Sequence, residues 1–164
     1  MTTQRTIDSP IGPLTLAGQG NTLTHLVMLD QAHAPSRADW LRDDSAFPDV
    51  VEQINAYFAG ELTEFHVTCQ LRGTDFQRRV WNALMTIPYG QTRSYGQLAS
   101  QIGAPKASRA VGLANGRNPI AIIVPCHRVI GSNGSMTGYG GGIDRKKALL
   151  NLERPEHQAT LMLA

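Results

Sequence analysis

The sequence predicts a mixed α/β protein. A small N-terminal α/β lobe with an antiparallel sheet precedes a mostly α-helical C-terminal half, which holds a helix-turn-helix and a short strand leading to a cysteine. Three observations predict this class. The first thirty residues fall into short apolar runs separated by Gly- and Pro-containing turns, the pattern of strands. From Thr74 onward, capping residues precede apolar positions that recur at helical spacing. The charge also changes sign along the chain: residues 1–71 hold 3 basic and 9 acidic side chains, residues 72–164 hold 12 and 4. These shifts place a domain boundary between residues 72 and 73, giving units 1–72 and 73–164.

In the first unit, Gln4–Asp8 reads as a strand ending at the turn Ser9-Pro10-Ile11-Gly12-Pro13. Leu14–Ala17 and Leu23–Leu29 flank a Gly18–Asn21 turn and read as a hairpin. Residues 30–47 are polar and irregular. Pro48 suits a first helical position, and Val50, Val51, Ile54, Tyr57 and Phe58 then share one helical face up to Gly60. Phe65–Leu71 reads as a further strand.

In the second unit, Thr74-Asp75-Phe76-Gln77 and Ser94-Tyr95-Gly96-Gln97 both have capping-box form. The first opens a helix carrying Phe76, Val80, Leu84 and Ile87 and ending at Pro88-Tyr89-Gly90. The second opens a helix carrying Leu98, Ala99 and Ile102, broken at Gly103-Ala104. Pro105 starts a third element, Lys106–Asn115, closed by Gly116. The second and third helices form a helix-turn-helix candidate. The third is small along most of its length, with Arg109 its one long cation in mid-helix. Helices that read the major groove carry several long polar side chains. A small-residue helix instead suits close approach to a narrow groove, or packing against another helix. Gly131, Gly134, Gly138, Gly140, Gly141 and Gly142 then form a loop around Tyr139, with neither Walker nor dinucleotide spacing. Asp144 is placed to cap a last helix, Arg145–Glu153, and residues after Pro155 read as a loose tail.

Ile123-Val124-Pro125-Cys126-His127-Arg128-Val129-Ile130 carries most of the chemistry. An apolar run stops at a proline, and a thiol and a basic dipeptide follow at once. A thiolate is the nucleophilic form of cysteine, and a cationic neighbour raises its fraction. Cys126 is therefore a candidate nucleophile, against the alternative of a small buried hydrophobe. Between Arg72 and Arg128 there are 8 basic side chains and one acid, Asp75. This stretch points to a polyanionic partner, or to a solvated basic face. The 164-residue chain shows no apolar leader and no run near the ~20 residues of a membrane span. Cytoplasmic placement with Cys69 and Cys126 as free thiols is expected.

Pro125-Cys126-His127-Arg128-Val129, with Arg109-Ala110-Val111-Gly112, Asn118-Pro119, Thr92-Arg93-Ser94-Tyr95-Gly96, Tyr139-Gly140-Gly141-Gly142 and Leu149-Leu150-Asn151-Leu152-Glu153, resembles the O6-alkylguanine-DNA alkyltransferases. These are also called methylated-DNA–protein-cysteine methyltransferases. The match runs from about Gly73 to Glu153, and Ser9-Pro10-Ile11-Gly12-Pro13-Leu14 extends it into the first unit. The whole chain closely resembles actinobacterial members.

The resemblance implies a ribonuclease H-like first domain and a DNA-binding, alkyl-accepting second domain. It implies a repair protein that flips O6-alkylguanine, and by extension O4-alkylthymine, out of double-stranded DNA from the minor groove. The alkyl group then moves irreversibly to Cys126, one turnover per molecule. His127 would activate the thiol through a bridging water, with Glu153 orienting the imidazole. Substrate contacts would come from Tyr95, from Tyr139 and from backbone groups of Val124. DNA contacts would come from Arg109 as the inserted finger, Tyr95, Ala110, Ser94 and Arg128. Asn118 would be a hinge. No cofactor and no metal are implied, since His66-Val67-Thr68-Cys69 does not reproduce the zinc site of some eukaryotic relatives. A monomer, clustering cooperatively on DNA, is the expected state. Some relatives carry serine where this chain has Gly140. Two other readings are a binder of alkylated DNA that transfers nothing and a cysteine hydrolase.

Overall fold

The computed structural model describes residues 1–135 and 139–154; Gly138 of the loop and the tail after Pro155 lie outside them. Strands β1 (Thr3–Ile7), β2 (Leu14–Gln19) and β3 (Thr22–Met28) form an antiparallel meander. The two-residue β4 (Leu41–Arg42), hidden in the polar stretch 30–47, pairs parallel to β1 and completes the order β3-β2-β1-β4. The hairpin register shifts between Ala17 and Gly18. A Cβ on Gly18 would sit 2.0 Å from the Thr22 carbonyl oxygen, so this bulge requires glycine.

Helix α1 (Pro48–Phe58) starts at Pro48 as expected and buries Val50, Ile54 and Tyr57. The expected strand Phe65–Leu71 is reduced to one bridge between Cys69 and Leu23. The outer edge of β3 is shared: Leu23 pairs with this segment, while the Leu26 end pairs with Ile120 of the second half. Neither partner has room to extend along the whole edge.

Helices α2 (Asp75–Leu84) and α3 (Tyr95–Gln101) both begin at complete capping boxes, Thr74 with Gln77 and Ser94 with Gln97. Helix α4 (Ser108–Gly116) packs on both, and the Trp81 indole N–H donates to the Ala114 carbonyl at 2.8 Å. Helix α5 (Ile143–Glu153) has Gly142 at its cap, so Asp144 lies in the first turn rather than capping it.

The cysteine region differs from its expected form. Residues 121–124 turn instead of extending, with Ile122 at φ 72°. The Ile123 N–H bonds back to the Ala121 carbonyl and the Cys126 N–H to the Val124 carbonyl. Cys126–Arg128 is a single 3₁₀ turn, and the short strand, β6 (Val129–Ile130), follows the cysteine rather than leading to it. β6 pairs parallel with β5 (Arg93–Ser94), which ties the cysteine turn to the start of α3. One apolar core spans both halves, from Leu16, Leu26 and Ile54 to Trp81, Leu98, Val111, Val124 and Leu149.

Candidate active site

Cys126 lies at the start of the 3₁₀ turn and is almost wholly buried. Burial pushes its thiol up to about 11, against the opposing pull of hydrogen bonds from Asn118 and Tyr139 and the charge of Lys146. Burial thus works against the acidic thiol expected from its basic neighbours in the sequence. Arg128, the nearest guanidinium in sequence, points elsewhere.

His127 and Arg128 meet Glu153 at the end of α5. His127 Nε2 lies 2.7 Å from Glu153 Oε2, and both side chains are buried. Arg128 donates from Nε to Oε1 at 2.8 Å and from Nη2 to Oε2 at 3.0 Å, and from Nη1 to the Ile87 carbonyl at 2.7 Å. This fork-to-carboxylate pairing is the strong form of the interaction. It corrects the placing of Arg128 among the DNA contacts, because its guanidinium is spent inside the protein. Burial opposes the Glu153 charge, but hydrogen bonds and charge from His127 and Arg128 outweigh it and hold the carboxyl below the ordinary range. Burial lowers His127, with Arg128 and Lys146 adding to the effect and Glu153 opposing it. A neutral imidazole beside a carboxylate places its proton on Nε2. Nδ1 is then a bare acceptor, buried and without a hydrogen-bond partner among the described residues.

Three residues in this cluster escape sequence reasoning. The Tyr57 hydroxyl, from α1 in the first half, donates to Glu153 Oε2 at 2.6 Å. Lys146 is fully buried in α5, donates to the Val129 carbonyl and stands 6.0 Å from the centre of the Tyr139 ring. Asn115 donates to the Cys126 carbonyl at 3.3 Å. Tyr57 looks like core filling on an amphipathic face, and Lys146 looks like a solvated helix residue. The only signal for Asn115 is a polar residue at a small-residue helix end.

Asn118 is buried and bridges the chain before the cysteine, donating to the Val124 carbonyl at 2.7 Å and accepting from the Ile120 N–H at 3.0 Å. The Val124 carbonyl also accepts the Cys126 N–H, and the Val124 N–H donates to the Ile120 carbonyl. The backbone of Val124 is thus fully committed within the protein. Tyr139 is buried, and with Gly112, Gly116, Gly140 and Gly141 it lines an open cleft of about 960 Å³ whose far wall is Ala32 and His33 of the first half. A Cβ on Gly140 would lie 3.0 Å from the Gly116 carbonyl oxygen and 3.6 Å from that of Ala32. A serine here would require α4 or the loop to give way.

Helix α4 has two kinds of surface. Val111, Ala114 and Asn115 are buried, and a Cβ on Gly112 would stand 3.7 Å from the half-buried Tyr95 ring. Arg109 and Ala110 are exposed, and Leu113 is 68% exposed. The Arg109 guanidinium has no partner among the described residues. Ser94 is half-exposed and serves as the cap of α3. The small residues therefore do both jobs left open by the sequence: one side packs on Tyr95, the other presents a flat surface with one cation.

Two family models match the chain: the ribonuclease-like domain of 6-O-methylguanine DNA methyltransferase over residues 3–71, and the DNA-binding domain of the same over residues 75–155. The methylated-DNA–protein-cysteine methyltransferase of Mycobacterium bovis is 70% identical over 159 residues, covering 97% of this chain and 96% of the relative. That of Methanosarcina acetivorans is 54% identical over 147 residues, covering 89% and 94%. The crystal structure of the Mycobacterium tuberculosis protein in complex with DNA superposes with a TM-score of 0.90 at 70% identity, covering 93% of each chain. The buried Cys-His-Glu cluster beside a small-residue helix thus sits in a chain that belongs to the 6-O-methylguanine DNA methyltransferase family.

Proposed function

We propose that this chain repairs double-stranded DNA by moving the alkyl group of O6-alkylguanine onto Cys126, once per molecule. The observation that carries the reading is the hydrogen-bond geometry of His127: Nε2 held by Glu153 and Nδ1 left open. A neutral His127 offers Nδ1 as an acceptor while its Nε2–H is held by an ionised Glu153. Because burial disfavours the thiolate, the thiol needs a base at the moment of reaction. The Cys126 proton passes through water to His127 Nδ1. Sγ attacks the alkyl carbon, the S–C bond forms as the C–O6 bond breaks, and the electron pair leaves on the guanine. Tyr139 stands beside the thiol and is the candidate donor to the departing base. The product is a thioether, and no group around Cys126 among the described residues is suited to cleave it.

Base extrusion costs a few kcal/mol and is cheapest for a mispaired base. Arg109, unpartnered on the exposed face of α4, supplies the side chain that takes the vacated space. Ala110 lets the helix come close in the minor groove, and Ser94 and Tyr95 face the backbone of the flipped nucleotide. Val124 joins base recognition only by exchanging one of its internal hydrogen bonds, which Asn118 as a hinge would permit. Residues 73–164 carry the DNA-binding and alkyl-accepting work, and residues 1–72 form the ribonuclease-like domain. The reading takes the chain as a monomer in the cytoplasm. No helix among the described residues is long and apolar enough to cross a membrane.

The test is intact mass after mixing the protein with excess duplex containing one O6-methylguanine. The expected result is a gain of one methyl group, mapped to Cys126, that then stops; Cys126→Ala abolishes it. DNA binding without mass gain would favour a damage binder that transfers nothing. Continuing turnover without mass gain would favour a hydrolase.

A further inference from the structure

One cross-link between the two halves ends on the proposed proton relay. Glu153 Oε2 accepts three donors: the Tyr57 hydroxyl at 2.6 Å, His127 Nε2 at 2.7 Å and Arg128 Nη2 at 3.0 Å. Tyr57 reaches it from α1, 96 residues away in the chain. Its ring is fully buried and wedged among Phe58, Phe65 and Tyr89, which fixes the direction of the hydroxyl. Burial and the adjacent carboxylate raise the phenol far above its ordinary value, so it donates at every pH the fold survives. The groups facing the Glu153–His127 pair are Tyr57 from α1, Arg128 of the 3₁₀ turn, and Tyr139 and Lys146 from the last segment; Tyr89, after α2, faces Tyr57 and Arg128, and Cys126 faces Tyr139 and Lys146.

A carboxylate oxygen shared among three donors stabilises an imidazolium less than one devoted to the imidazole. The Tyr57 hydroxyl, added to the Arg128 guanidinium, therefore helps keep His127 neutral, and so competent as a base, to lower pH. We propose that Tyr57 is a positioning residue for alkyl transfer: from the first domain, its hydroxyl aims Glu153 at His127 and limits how strongly the carboxylate holds the imidazole proton. This assigns the first domain a part in the chemistry, and it rests on the relay described under the proposed function.

The experiment measures the rate of alkyl uptake from free O6-benzylguanine, which needs no DNA, between about pH 5 and pH 9. The full chain, Tyr57→Phe and His127→Gln are compared. The expected result for Tyr57→Phe is an acid limb moved to higher pH by about half a unit or more, with the plateau kept within about threefold. A purely structural role would lower the rate at every pH and leave the limb in place, and that result would overturn the inference. An acid limb that persists unchanged in His127→Gln would overturn the relay itself, and the inference with it. Independently of any variant, the Tyr57 hydroxyl proton of the unaltered protein should give a solvent-protected, downfield NMR signal. A hydroxyl that exchanges freely with water overturns the inference as well.

Discussion

Behind Cys126, one carboxylate accepts four hydrogen bonds from three side chains, and each donor is itself buried. Some residues away on α4, Arg109, Ala110 and Leu113 stand in solvent with almost nothing to hold them. In the proposed function both regions serve one reaction, yet they are built by opposite rules. A proton relay must keep one geometry, and this cluster is over-determined by buried partners. A surface proposed to meet DNA of any sequence carries one long cation on a plain face. On this reading a substitution in the first region acts on folding and chemistry together, and one in the second acts on DNA alone.

The sharpest way to break that contrast is to remove one partner of the buried cluster. Arg128→Met deletes the permanent cation bonded to Glu153 and should cost about 3–5 kcal/mol of stability, because a buried carboxylate is left under-compensated. Urea unfolding would show it as a lowered midpoint. A midpoint within experimental scatter of the unaltered protein would mean that Glu153 is hydrated, and the contrast between the regions would collapse.

The sequence makes this cluster only partly legible. Cys126, His127 and Arg128 adjoin in the chain, so their chemistry is visible, but their directions are not. An arginine beside a thiol in a basic half reads as a phosphate contact until burial turns it toward Glu153. Glu153 enters only through family resemblance, since no local pattern links a helix-end carboxylate to a histidine 26 residues earlier. Tyr57 and Lys146 are invisible, because a phenol and an ammonium look alike in sequence whether their polar ends meet water or protein. The helices, by contrast, declare themselves. Capping boxes and apolar spacing are local, and α2 and α3 begin where Thr74 and Ser94 place them. The run Ile120–Val124 has the composition of a strand, but β3 pairs only with Ile120 and the chain turns at Ile122.

On the exposed region the expected effect is smaller and falls on one substrate only. Arg109→Ala should slow repair of duplex O6-methylguanine by roughly ten- to hundredfold, the loss of part of a few kcal/mol of base extrusion. Reaction with free O6-benzylguanine should stay nearly unchanged, and stability should move by no more than about 0.5 kcal/mol, as for surface substitutions elsewhere. Equal losses on both substrates would sink the finger role.

The pH dependence of stability separates the regions again. His127 is lowered in the fold, so the unfolded chain takes up its proton first, and stability should begin to fall as pH drops through about 6.5. Glu153 is also lowered, so its contribution is present above about 4.3 and is lost as pH falls further toward its folded value. Both contributions have the same sign: each is present at neutral pH and lost in acid. Denaturant midpoints between about pH 8 and pH 2 should decline in two stages, and His127→Gln should remove the first. A first stage that survives in that variant would assign it to another group, with His25, lowered by burial and by Arg72, the leading alternative.

The smallest effect is the most discriminating for Ser94, where the two regions meet. Its hydroxyl accepts the Gln97 N–H at the start of α3, and its backbone pairs with Ile130 just beyond the cysteine turn. As a cap alone, Ser94→Ala should cost about 1 kcal/mol and leave DNA affinity unchanged. As a DNA contact as well, it should also weaken duplex binding, with the salt dependence unchanged because a neutral hydroxyl releases no counterion. Ser94→Asp separates the two roles. Aspartate caps as well as serine, so stability should hold, while its negative charge at the backbone should repel DNA. Stability retained with binding lost would place Ser94 on the DNA-facing side of the divide. Both retained would return it to the scaffold.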